Sequence, residues 1–269
     1  MCIDQAAKSI VISVRGSIQP HDFLADLVCS PVEVQLMGVR GHAHAGMLKS
    51  ARELDRRLRA AVLGLLLRPE HDDFRLVLTG HSLGAGAATL LAALWLSEPA
   101  SGPMTRLCSR LRVVGYGTPM VVSPDIAAEL ASHVTTVVMG NDMVPRFSLA
   151  SFQRLRDRAL ELWGADGELL VVLDADWWRE APERRRALAN QALGAAPHAR
   201  LAPLPELAAP GRIVWVDDHS LERDLRNINV LVSPTQLGHD MTLCDDMFAS
   251  HLPQHYAALG SVPFPSDFI

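Results

Sequence analysis

A strand, a glycine-framed serine and a strongly apolar helix follow one another in this chain without a gap. The segments are Phe74-Arg75-Leu76-Val77-Leu78-Thr79, Gly80-His81-Ser82-Leu83-Gly84, and Ala85 to Leu96. The first run reads as a strand. The last is hydrophobic on most of its surface, so it reads as a helix buried against a sheet. The five residues between them match Gly-x-Ser-x-Gly, and the strand–turn–helix setting makes that short pattern informative. Glycine is needed at 80 and 84 because a β-carbon two positions from the serine would strike the strand or the helix. Such a turn lifts the Ser82 hydroxyl above the sheet edge. It also aims the helix N-terminus, with the Leu83 N–H, at the reacting oxygen. The competing reading is a structural glycine turn around a buried serine.

The rest of the chain repeats the alternation. Ser9 to Val14 reads as a strand closed by Arg15-Gly16, Leu111 to Gly117 as another closed by Thr118-Pro119, and Val134 to Met139 as another closed by Gly140-Asn141-Asp142. Met47 to Leu67 carries apolar residues at helical spacing, and Gly41 to Gly46 reads as a loop before it. Arg212 to Val216 and Val230 to Val232 are strand-like. Strands alternating with helices predict a mostly parallel central sheet flanked by helices. Residues 150–210 differ in character. Two amphipathic stretches, Phe152–Trp163 and Glu183–Leu193, precede an Ala/Pro-rich segment that reads as irregular. The span is expected to be a helical insertion in one domain covering 1–269, and Arg184-Arg185-Arg186 reads as a solvated helix face. The tail at 241–260 is expected to end in a helix containing His251.

Bulk properties exclude several classes. With 269 residues, 49% hydrophobic and 20% charged, the chain can build one large core. A formal charge of −5 argues against phosphate-driven nucleic-acid binding and gives no general pull toward anionic lipid. Cys2, Cys29, Cys108 and Cys244 form no CxxC pair and no zinc-type cluster, so no metal is expected and reduced thiols in an intracellular setting are. The N-terminus lacks a signal-peptide pattern, and no apolar run reaches the ~18 residues of a membrane span.

A serine hydroxyl needs an imidazole to take its proton and an acid to orient that imidazole. In a strand–elbow–helix setting the order is serine, acid, histidine. Asp142, directly after a strand, fits the acid, with Asp174, Asp176, Asp217 and Asp218 as rivals. Asp142 also suits a plain turn or cap. Five histidines follow it: His198, His219, His239, His251 and His255. Residue chemistry alone leaves the choice among them open.

Four segments together resemble the class 3 lipases of the α/β-hydrolase fold, and within them the sn-1-specific diacylglycerol lipases. They are Val11 to Ser17 with Asp22-Phe23-Leu24-Ala25-Asp26-Leu27; Thr79 to Gly86; Gly140-Asn141-Asp142-Met143-Val144-Pro145-Arg146; and Ser250-His251-Leu252-Pro253. The resemblance runs from about residue 8 to 258. It implies a triad of Ser82, Asp142 and His251, and an oxyanion hole of the Ser17 and Leu83 N–H groups beside the elbow residues Gly80, His81 and Gly84. Residues 18–28 match the place of the family's lid, with Phe23, Leu24 and Leu27 as its apolar patch; an ordinary core-packing helix is the alternative. Phe23 stands where Trp is common, and Ser17 where Thr is common.

The resemblance further implies hydrolysis of a glycerolipid acyl ester, diacylglycerol giving monoacylglycerol and fatty acid, without cofactor. The same machinery would serve a phospholipase A1, a carboxylesterase or an acyltransferase, and a non-catalytic pocket is the third alternative. Transient contact with a membrane or lipid-droplet surface is expected, and no nucleic-acid partner. Members of that branch often carry transmembrane helices ahead of this domain. This chain opens on the first catalytic strand, so a cytoplasmic or peripheral form is expected.

Overall fold

The computed structural model describes residues 1–16, 30–99, 101–102, 104, 108–166, 203–216, 228–231, 237, 244–257 and 259; for 158–166 and 228–231 it describes the backbone alone. Ser17, the lid segment with Phe23, Leu24 and Leu27, and the helix expected at Glu183–Leu193 with its arginine run lie outside the described residues.

The strands are β1 (Cys2–Asp4), β2 (Ser9–Val14), β3 (Pro31–Leu36), β4 (Val39–His44), β5 (Arg75–His81), β6 (Leu111–Tyr116), β7 (Val134–Met139), β8 (Arg212–Val216) and β9 (Ile228–Leu231). The helices are α1 (Ala45–Leu66), α2 (Leu83–Leu96), α3 (Pro124–Glu129), α4 (Leu149–Asp166) and α5 (Pro253–Ala257). Seven strands form the main sheet in the order β1-β2-β5-β6-β7-β8-β9. The run from β2 to β8 is parallel and both edge strands are antiparallel to their neighbours. Because β2, β5, β6 and β7 point the same way, the loops that follow them open on one edge of the sheet. A parallel sheet offers its ligand crevice at that edge.

The central strands are buried on both faces, so β7 shows no exposed position at all. The α2 helix is enclosed in the same way. It packs between α1 and the strands β5 and β6, with Leu90, Leu91 and Trp95 fully buried. Its small residues allow the close approach. Gly86 faces Met47 of α1, and a β-carbon there would also sit 2.9 Å from Val121. The indole of Trp95 donates to Asp55 Oδ1 at 2.6 Å, tying α2 to α1 through a half-buried polar contact.

Two local expectations are corrected. Residues 41–46 are not a loop: β3 and β4 form a hairpin in register from Pro31↔His44 to Leu36↔Val39, and α1 starts at Ala45. Its two-residue turn uses Met37 at φ 51 and Gly38 at φ 82, the left-handed pair that a tight hairpin requires. Methionine in that place hid the turn. The end of the Ala/Pro-rich stretch, at 203–210, is irregular as expected, with one isolated bridge, but it packs inward. Leu207, Ala208 and Ala209 are buried, and Ala208 bridges Val122, which also bridges Ala43. Finally, His251 lies in a turn just ahead of α5 rather than inside a helix.

Leu90→Ala should lower the free energy of unfolding by about 3 kcal/mol, because it leaves a cavity beside a helix enclosed on all sides. Leu67→Ala, at an exposed site, should change it by less than ~0.5 kcal/mol. Urea unfolding followed by circular dichroism distinguishes the two.

Candidate active site

Ser82 joins β5 to α2 with φ 58 and ψ −129, a left-handed backbone conformation that side chains resist. The surroundings enforce it. Ser82 N–H donates to Tyr116 O of β6 at 2.8 Å, and Gly86 N–H closes the first helical turn onto Ser82 O at 3.1 Å. A β-carbon on Gly80 would meet Gly84 C at 2.6 Å, and one on Gly84 would meet Gly16 N at 2.8 Å. Both glycines are therefore steric requirements of the bend. Leu83 is the first residue of α2, so its N–H has no partner within the helix and points from the positive end of the helix dipole. The backbone of Gly16, just past β2, runs along the bend: a β-carbon there would lie 3.8 Å from Leu83 N. Ser17, the next residue, lies outside the described residues.

His251 meets the Ser82 hydroxyl. Its Nε2 is 2.9 Å from Ser82 Oγ, and its Nδ1 is 3.0 and 2.9 Å from the two oxygens of Asp142. Asp142 is fully buried and His251 nearly so, with 12% of its side chain exposed. Nδ1 donates to the carboxylate, which leaves Nε2 as the acceptor for the serine proton. The structure thus brings together Ser82, Asp142 and His251 from the wider set of candidates. His255 lies on α5. The rival residues Asp174, Asp176, Asp217, Asp218, His198, His219 and His239 lie outside the described residues.

The acid loop is built to hold a buried charge. Asp142 Oδ1 accepts from Val144 N–H at 2.8 Å, while the Arg146 guanidinium donates to the Asp142 carbonyl at 2.8 Å. Asp142 is therefore both a turn residue and a partner of His251. The loop is also stitched to its neighbours. Trp215 of β8 donates its indole N–H to Gly140 O at 2.7 Å, and the Asn141 amide donates to Asp246 at 3.0 Å in the segment that carries His251.

Sequence reading missed two contributors, Tyr256 and Gly117, and named a third, His81, as an elbow residue without its contact to His251. His81, inside the elbow, donates its Nε2–H to the His251 carbonyl at 2.9 Å, and the two rings lie 4.6 Å apart. Burial, with the second imidazole next, lowers the His81 pKa from 6.5 to about 4. Tyr256 of α5 donates its hydroxyl to Asp142 Oδ2. The chain has two tyrosines, and the other, Tyr116, lies 5.9 Å from it ring to ring. Gly117, after β6, has φ 56, and a β-carbon there would sit 2.8 Å from Asp142 Oδ2 and 3.0 Å from the His251 ring. A glycine closing the strand beside the nucleophile strand was the available signal. Among the described residues, no group of three or more His, Cys, Asp and Glu side chains could hold a metal ion.

Comparison with known proteins adds a family context. Residues 11–152, just over half of the chain, match the family model for lipase (class 3). Rat diacylglycerol lipase-alpha is 30% identical over 170 residues, which cover 60% of this chain and 15% of that protein. A secreted mono- and diacylglycerol lipase of Fusarium solani is 31% identical over 170 residues, covering 62% of this chain and 47% of that one. The chain thus spans less than half the length of either relative. In fold, 93% of it superposes on 59% of the Rhizomucor miehei lipase in its propeptide complex, with TM-score 0.54 and 21% identity.

Two outcomes are expected. Gly117→Ala should lower kcat at least ~10-fold, since the added carbon pushes the carboxylate and imidazole apart; steady-state kinetics read it. For His81, the unfolded chain binds the extra proton between about pH 6.5 and pH 4 and the folded chain does not. Stability should therefore fall as pH drops through that window. His81→Gln should flatten the fall, read as urea midpoints at pH 7 and 4.5.

Proposed function

Because the chain belongs to the class 3 lipase family, we propose that it is a serine-dependent carboxylic ester hydrolase acting on a glycerolipid, releasing a fatty acid and a monoacylglycerol from diacylglycerol. One observation carries this reading: the unbroken relay from the buried Asp142 through His251 to a serine at a strained, glycine-framed bend. A pocket that merely bound a ligand would have no use for that alignment.

The chemistry follows from the geometry. Ser82 Oγ attacks the ester carbonyl as His251 Nε2 takes its proton, and Asp142 stabilises the imidazolium. The developing oxyanion is held by the Leu83 N–H and, on the family resemblance, by Ser17; each such donor is worth ~3 kcal/mol in the transition state. The tetrahedral intermediate collapses to an acyl–Ser82 ester. The leaving alcohol takes the proton from His251. A water molecule deprotonated by the same imidazole then releases the fatty acid and restores Ser82.

The substrate half of the proposal draws on the relatives, whose names specify mono- and diacylglycerol lipases. It also draws on the rim of the site. Phe248 and Leu252 flank His251 and are 53% and 43% exposed, apolar surface suited to acyl chains at a lipid boundary. Among the described residues, no helix is long and apolar enough to cross a membrane. In this reading Phe23, Leu24 and Leu27 belong to a lid that opens at the lipid boundary.

Ser82→Ala should reduce the hydrolysis of emulsified diacylglycerol by at least ~10⁴-fold while leaving the fold intact. Undiminished hydrolysis by that variant would sink the whole proposal. A preference of the wild type for short soluble esters, with no rise in rate at an interface, would sink its glycerolipid half.

A further inference from the structure

The Tyr256 ring fills an apolar pocket with Val137, Met139, Val214, Val216 and Leu259, and the residue is 6% exposed. Phenylalanine would serve that packing equally well. A buried hydroxyl, in contrast, needs partners or it destabilises the fold by about 1–3 kcal/mol. Here it has two. It accepts from Met139 N–H, at the end of β7, at 3.2 Å, and it donates to Asp142 Oδ2 at 2.5 Å. The backbone amide fixes the oxygen in place, so its hydrogen is committed to the carboxylate.

The two carboxylate oxygens are not equivalent. Oδ1 accepts from Val144 N–H and from His251, whereas among the described residues Oδ2 accepts only from His251 and Tyr256. We infer that Tyr256 is a positioning residue for the relay: its hydroxyl orients the Asp142 carboxylate and withdraws part of its charge, and so sets how strongly Asp142 favours the protonated form of His251. The inference rests on the proposed function for its catalytic meaning, but not for its physical content. Burial, followed by the neighbouring carboxylate, keeps the Tyr256 hydroxyl protonated well above the ordinary phenol range, so it stays a donor throughout the working pH range.

Several other groups act on His251. His81 stacks on it from the end of β5, and Ser82 meets Nε2. Arg146 lies beyond Asp142, Tyr116 contacts Tyr256 from β6, and Asp246 and His255 lie on the segments before and after it. Replacing the Tyr256 hydroxyl alone leaves all of these in place.

The direction of the effect follows. Tyr256→Phe removes one donor from Oδ2, leaves more charge on the carboxylate and favours the imidazolium. The His251 pKa, read by NMR titration, should rise by about half a unit to one unit. The acid limb of kcat/KM should move up by the same amount. Incorporating 3-fluorotyrosine at 256 strengthens the donor at nearly constant shape, and should move both readings down. An unchanged His251 titration in Tyr256→Phe, with only a lower unfolding midpoint, would reduce the residue to packing and overturn the inference. Shifts of the same sign in both variants would also overturn it. Should Tyr256→Phe fail to fold, the fluorinated protein decides: a downward shift upholds the inference and no shift overturns it. The NMR arm needs no turnover. A protein that showed both opposed shifts yet cleaved no ester would retain this inference and lose the proposed function.

Discussion

A single left-handed residue at the β5–α2 junction organises the site. Ser82 at φ 58 would not persist in an isolated peptide. It persists because β5 is hydrogen-bonded into the middle of the sheet, α2 is enclosed by α1 and the central strands, and the Ser82 amide is claimed by Tyr116 O across the strand gap. The strain is carried by burial elsewhere. That is also why Gly80 and Gly84 cannot bear side chains: the bend brings the backbones of β2, β5 and α2 together more closely than any β-carbon allows.

The parallel sheet then determines what can meet that serine. The loops after β2, β6 and β7 all emerge at the same edge as the elbow, so Gly16, Gly117 and Asp142 come within reach of Ser82 or His251 from three separate strands. The histidine arrives differently, from residues 244–252, in which, among the described residues, no strand fixes it. Its position depends on cross-links: Asn141 to Asp246, His81 to the His251 carbonyl, and Tyr256 to the acid. Each replaces rigidity that a strand would have supplied.

Asp142 joins the two halves. A carboxylate removed from water loses several kcal/mol of solvation unless donors replace it. Here Val144 N–H, His251 and the Tyr256 hydroxyl do so. The same donors that make the charge tolerable also aim it, so the stability of the acid loop and the alignment of the relay are one problem with one solution.

The chain itself determined the local pieces whose cause is local. The elbow was legible because steric exclusion around Ser82 acts within five residues, and the central strands because burial on both faces leaves near-continuous apolar runs such as Val134 to Met139. The acid could be narrowed to a residue closing such a strand, and the choice of histidine needed the resemblance. Other features had no local cause. The hairpin turn at Met37-Gly38 carries methionine where Asn, Asp or Gly is usual, and Ala208 pairs with Val122 across most of a hundred residues. Gly117, His81 and Tyr256 take their roles only from neighbours that are distant in sequence. Tertiary structure decided those, because hydrogen bonds and steric contacts act over a few ångströms, whatever the length of chain between the residues that make them.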